Sequence, residues 1–190
     1  MFPSLKRPEN ELKSLFLKMS SISDLANILE IPEQTLRYFV YRQPIVYKQF
    51  QIPKKNGSLR NISAPPKSIK LIQSKLNSIL HSCGLFDVAA HGFVRGNGIK
   101  SNAGLHVRRN IILNIDLENF FPKINFGRVR GLFMNYPFHL PASIATALAR
   151  LSCDGNTLPQ GAPQGTPLPV GWGTHSTAAM VSAAEALAST

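Results

Sequence analysis

A chain of 190 residues, 44% hydrophobic and 16% charged, is globular rather than disordered and long enough for one domain with a real core or two small lobes sharing one. No apolar run approaches the roughly 20 residues that span a bilayer, and charges scattered through residues 1–18 exclude a secretory signal, so a soluble, cytoplasmic protein is expected. With 21 Lys and Arg against 10 Asp and Glu, the formal charge of +11 favours a polyanion partner, because each phosphate neutralised releases condensed counterions.

Every Lys and Arg falls at or before Arg150, which assigns the polyanion-binding part to the first three-quarters of the chain. The two cysteines, Cys83 and Cys153, are too few for a disulfide framework and lack the spacing of a zinc site. Both are expected to be reduced, packed thiols.

In chain order, residues 21–42 read as two short helices. Leu25, Ile28 and Leu29 share one face, and Pro32 holds a helix-start position ahead of Leu36, Phe39 and Val40. The pair resembles a helix-turn-helix, whose second helix would enter a DNA major groove. Its exposed positions, Gln34, Thr35 and Arg37, are a thin set of base readers, so packing against neighbours is the favoured reading.

Residues 45–52 alternate as a strand, Asn56-Gly57 makes a turn, and residues 58–64 return as a second strand. Lys54 and Lys55 at the tip, with Arg60 on the return strand, would project positive charge from a stiff support. Pro65-Pro66 ends the hairpin. Residues 67–82 form an amphipathic helix through Ile69, Ile72, Leu76, Ile79 and Leu80, with Lys67, Lys70 and Lys75 on an expected solvated face.

Gly and polar residues dominate 84–106, where the glycines allow either a close backbone approach to a ligand or a simple turn. Residues 110–115 read as a compact apolar strand ending at Asp116. A carboxylate there costs several kcal/mol, on the order of a buried ion, unless it is paired or metal-bound. Two helices are expected near 125–135 and 141–151, then a turn at Asp154-Gly155-Asn156. Beyond residue 163 the composition shifts to Ala, Gly, Ser, Thr and Pro, with a short helix expected over 180–188.

Three of these segments occur in a telling order. Lys54-Lys55-Asn56-Gly57-Ser58-Leu59-Arg60, followed by Ile62 and Pro65, resembles the first fingers motif of reverse transcriptases. Ile115-Asp116 through Phe120-Phe121 resembles palm motif A, and Leu158-Pro159-Gln160-Gly161-Ala162-Pro163 resembles motif B. Between them, Asn102-Ala103-Gly104-Leu105-His106 matches the Asn-Ala-x-x-His element of the bacterial retron subgroup.

The resemblance implies an α+β fold, a partial right-hand polymerase: a helical region over 1–44, fingers over 45–109, a partial palm over 110–163 and a divergent tail over 164–190. It implies an RNA-directed DNA polymerase that uses a structured non-coding RNA as primer and template, consumes deoxynucleoside triphosphates, makes a branched RNA–DNA product and, in intact relatives, serves phage defence. Asp116 would be the catalytic carboxylate and, with the Leu117 carbonyl, would hold Mg²⁺. Lys54, Lys55 and Arg60 would cover the triphosphate, and Phe121 would block a ribose 2′-hydroxyl. Gln160 and Gly161 would line the nucleotide, and Asn102, Ala103 and His106 would form the retron-specific RNA element.

The pattern breaks after Pro163. The aspartates are Asp24, Asp87, Asp116 and Asp154, with no adjacent pair, so the Tyr-x-Asp-Asp motif and thumb of the family are not in this sequence. A truncated chain, inactive alone, is the expectation. The alternative function is a non-catalytic, basic RNA- or DNA-binding module built on the helix-turn-helix-like pair.

Overall fold

Proline sets the start of four helices, at Pro8, Pro32, Pro66 and Pro141. Its ring holds φ near the helical value, and its missing N–H falls where a helix start leaves donors unpaired. The computed structural model describes residues 5–42, 44–54, 57–84, 91, 96–111, 120–135 and 137–160. In chain order these form α1 (Glu9–Lys18), α2 (Ile22–Ile28), α3 (Glu33–Arg37), β1 (Lys48–Pro53), β2 (Leu59–Ala64), α4 (Lys67–Cys83), α5 (Ile99–His106), α6 (Phe120–Lys123), α7 (Phe126–Met134) and α8 (Ala142–Ser152). A π-helical turn, Tyr38–Arg42, continues α3. Among the described residues the architecture is mixed: mostly helix, with a two-stranded antiparallel sheet.

Helices α1, α2, α4, α7 and α8 meet in one apolar cluster. Phe16 of α1, Phe133 of α7 and Phe138 stack edge-on or tilted at its centre, with ring centroids 5.5 to 6.5 Å apart. The apolar face expected on α4 is the observed one, since Ile69, Ile72, Leu76, Ile79 and Leu80 are all buried. Lys75 departs from the expected solvated face. Its ammonium donates to the carbonyls of Leu29 (2.9 Å) and Glu30 (3.1 Å), placing a cation at the negative C-terminal end of α2.

The expected helical pair packs as two short helices, with Leu25, Ile28 and Leu36 buried. Helix α3 has five residues before the π-helical turn carries the chain on to Arg42, and Arg37 pairs with Glu33 at 2.6 Å. Helix α1 lies inside the region 1–44 expected to be helical, but its bounds were not expected, because its charges break up the apolar face that buries Leu12 and Phe16.

A capping box starts α2. Ser21 Oγ accepts from the Asp24 N–H at 3.1 Å, and Asp24 Oδ2 accepts from the N–H groups of Ser20 and Ser21, both at 2.9 Å. The Ser20 and Ser21 donors hold the Asp24 carboxyl below its ordinary value of 3.8. A carboxyl depressed by folding contributes stability that is complete above its unfolded pKa and is lost as pH falls through the folded one. Ser21→Ala removes the acceptor of the Asp24 N–H and should cost about 1 kcal/mol, the usual loss of an N-cap side chain. Protonating Asp24 weakens the other half of the box, so wild-type stability should fall as pH drops below about 4, as read by urea unfolding at neutral and acid pH.

Both cysteines are buried free thiols, as expected. Burial pushes Cys83 up to about 11 and Cys153 up to about 12, so neither is a thiolate nucleophile at neutral pH.

The strand expected over 110–115 falls mostly outside the described residues. Wholly outside them lie Asp116, Leu117, Glu118, Lys55, Gly161 and the tail with its expected helix.

Candidate functional site

The hairpin is largely exposed. Its register pairs Lys48 with Ala64, Phe50 with Ile62 and Ile52 with Arg60. Because side chains opposite one another share a face, these six make one side of the ribbon, with Lys48, Phe50, Ile52 and Arg60 exposed. Arg60 stands opposite an isoleucine rather than an acid, so the cross-strand position holds no ion-pair partner for it. At the tip, Lys54 is exposed, its N–H donates to the Ser58 carbonyl at 2.7 Å, and its carbonyl accepts from Gly57 at 3.0 Å. Gly57 has φ +81°, a conformation that a side chain would strain.

The opposite face is lined with amides. Gln51 donates to Asn61 at 2.9 Å, and the Ser63 hydroxyl donates to Gln49 Oε1 at 2.8 Å. Gln49 Nε2 donates in turn to Asp154 at 2.8 Å. An isolated two-stranded ribbon is at best marginally stable in water, and this fastening gives it a fixed seat. The seat is reinforced at the entry to β1, where buried Tyr47 accepts from Gln73 Nε2 at 2.7 Å. The same nitrogen donates to the Leu151 carbonyl at 2.9 Å. Burial raises the Tyr47 pKa, so its hydroxyl stays protonated.

Backbone hydrogen bonds then join the motif-like segments. The Ser63 N–H on the outer edge of β2 donates to the Gln160 carbonyl at 3.1 Å. Two residues earlier, the Leu158 N–H donates to Ile124 at 2.9 Å, and the Ile124 N–H donates to Phe121 at 3.0 Å. The Phe126 N–H reaches the Asn156 carbonyl at 2.8 Å, and Asn125 bridges Thr157. Arg60, Gln160 and Phe121, far apart in sequence, are thus carried on three segments stitched side by side. Phe121 is half-buried and packs against the core.

The Asn102-to-His106 element stands apart. Expected within a Gly-rich, polar stretch, it is helical: α5 carries Asn102, Ala103 and His106, all exposed, and buries no residue. His106 is therefore not a packed side chain. Asn102 and His106, four apart, lie on one helix face. The Ser101 hydroxyl fixes the start of α5, accepting from the Gly98 N–H at 2.8 Å and lying 2.9 Å from His91 Nδ1.

Among the described residues no group of three or more His, Cys, Asp or Glu side chains could hold a metal ion, and no helix is long and apolar enough to cross a membrane. Sequence reasoning missed Lys48 and Phe50 as companions of Arg60, although the period-two pattern of the strand carried that information. The Gln49–Asp154 contact, 105 positions apart in sequence, had no local signal.

No protein-family model matches the chain. Curated relatives do. The retron Mx65 reverse transcriptase of Myxococcus xanthus is 34% identical over 140 residues, covering 72% of this chain and 32% of that protein. The retron Ec86 reverse transcriptase of Escherichia coli is 33% identical over 150 residues, 76% of this chain and 45% of the relative. The chain belongs to the retron-type reverse transcriptases. It spans less than half the length of these relatives. The retron Ec73 reverse transcriptase of Escherichia coli is 38% identical over a shorter stretch of 99 residues. Within this retron-type chain, the hairpin, the Gln160 edge and the Phe121 segment form the candidate surface.

Proposed function

We propose that this chain supplies the fingers hairpin and the first palm motif of a retron-type RNA-directed DNA polymerase that extends an RNA primer on a structured RNA template to make a branched RNA–DNA product. The observation that carries this reading is the run of backbone hydrogen bonds from Ser63 through Gln160 to the Ile124–Phe121 segment. It gathers the motifs assigned to triphosphate, nucleotide and sugar on adjacent strands of chain.

In this reading Arg60 and Lys54, with Lys55, cover the triphosphate. A planar guanidinium donates two parallel hydrogen bonds to phosphate oxygens, and an ammonium adds a point charge. Phe121, five residues after Asp116, closes the sugar pocket against a 2′-hydroxyl, and Gln160 and Gly161 line the nucleotide. The exposed Asn102–Ala103–His106 face contacts the cognate RNA. Asp116 and the Leu117 carbonyl are hard oxygen donors of the kind Mg²⁺ takes. When bound, the metal would neutralise charge on the transferring phosphoryl group. Asp116 is a single carboxylate, and two-ion catalysis draws on more than one, so the 190-residue chain by itself provides part of that site.

The test uses the full chain. Binding of a fluorescent deoxynucleoside triphosphate should depend on Mg²⁺ and should be lost in Asp116→Ala, while primed RNA with labelled deoxynucleotides should not be extended. Equal nucleotide binding by Asp116→Ala and wild type would remove the polymerase-site reading. Asp116-dependent extension by this chain alone would instead overturn the view that its site is partial.

A further inference from the structure

A groove of about 500 Å³ opens beside the π-helical turn, lined by Phe39, Tyr41, Arg42, Phe126, Arg150 and Asp154 among others. Its size is that of a small-ligand site, and none of the residues assigned to triphosphate, sugar or metal lines it. Tyr41 is 52% exposed, so its ring is open to a partner. The Arg150 guanidinium lies over that ring, 5.8 Å from its centroid, and donates to the Val40 carbonyl at 2.8 Å. Arg150 is thereby fixed by the same turn that presents the tyrosine. A guanidinium covers only one face of a ring, which leaves the other face for a planar partner.

We infer that this groove is a binding subsite for one unpaired nucleotide of a single-stranded nucleic acid, its base stacked on Tyr41 and its phosphate held by Arg42 and Arg150. Stacking on an aromatic beside arginine is the recurring chemistry of single-strand binding, and it tolerates any base because every base has a π-face. Asp154 gives the site a direction. Its carboxylate, already accepting from Gln49, repels phosphate and keeps it on the arginine side. The same contact places the groove against the amide-lined face of the hairpin, away from the Arg60 face. The subsite is therefore independent of the polymerase-site reading and survives if that reading fails.

Fluorescence anisotropy of the full chain with labelled oligo(U), oligo(dT) and a 20-base-pair duplex tests it. Tyr41→Ala should weaken binding of both single strands roughly tenfold, within the range seen when a stacking residue is removed, and leave duplex binding unchanged. Tyr41→Phe should bind like wild type. Arg42→Ala should lower the slope of log affinity against log salt by about one. Weaker oligo(U) than oligo(dT) binding, or the reverse, names the source of the strand within the inference. Unchanged single-strand affinity in Tyr41→Ala overturns it, as does an equal loss on duplex. If Tyr41→Ala misfolds, crosslinking of 4-thiouridine oligonucleotide to the wild-type chain decides. Adducts within residues 38–45 or 150–155 support the subsite, and adducts confined elsewhere reject it.

Discussion

Phe133→Ala should remove about 3–5 kcal/mol of folding stability, the usual cost of deleting a fully buried ring. Phe133 is wholly buried and touches both other rings of the aromatic trio, at 6.5 Å from Phe16 and 5.5 Å from Phe138. Its loss leaves a cavity beside the Phe16 and Phe138 rings, which the surrounding helices cannot close without moving their backbones. Against the roughly 5–15 kcal/mol typical of a domain, the loss is large enough to make the folded population sensitive to temperature. Urea unfolding measures it directly. A deficit below about 1 kcal/mol would mean that the trio is not the centre of the core, since losses that small are typical of positions away from it. Phe133→Leu should recover most of the stability, because it keeps most of the buried volume.

Arg60→Ala should leave the unfolding midpoint unchanged and weaken Mg²⁺-dependent deoxynucleotide binding roughly 10- to 100-fold. The factor corresponds to losing charge-assisted hydrogen bonds worth about 1.5–3 kcal/mol. The two readouts separate a binding role from a structural one. Arg60 is exposed on the ribbon and opposite Ile52, so its removal exposes little new apolar surface. Arg60→Lys should restore charge without the planar fork and recover only part of the affinity. Nucleotide affinity equal to wild type in Arg60→Ala would withdraw the triphosphate role from this face of the hairpin.

How much of this was legible in advance depended on how local each signal was. Asn56-Gly57 and alternating strands announced the hairpin, and Pro66 with the Ile69-to-Leu80 spacing announced α4 almost to its ends. Asn125 and Asn135, bracketing the expected helix, are the N-cap and C-cap of α7. The region of α1 was expected to be helical, but its bounds were hidden because only Leu12 and Phe16 of its ten residues are buried, too few for a periodic pattern. Helix α5 was hidden more thoroughly. With no buried residue, it has no apolar stripe, and its glycines argued for a loop. The motifs themselves were readable as strings. Their assembly through Ser63, Gln160, Ile124 and Phe121 was not, because backbone hydrogen bonds between distant segments carry no residue-type signature. Lys75 shows the same limit: its spacing placed it on a surface, while its role is set by where α2 happens to end.

The fastening of the hairpin separates two properties that ionic strength would otherwise mix. Neutral donors hold the ribbon: the Gln49 amide, the Ser63 hydroxyl and N–H, and the Gln73 amide beneath Tyr47. Its outward face carries full charges on Lys48, Lys54 and Arg60. Dissolved salt screens attraction between full charges over about 10 Å at 0.1 M and competes far less with an amide already in contact. A salt titration should therefore release a polyanion from a ribbon whose angle stays constant. The affinity lost in such an experiment reports contacts broken at the surface rather than a support that has loosened.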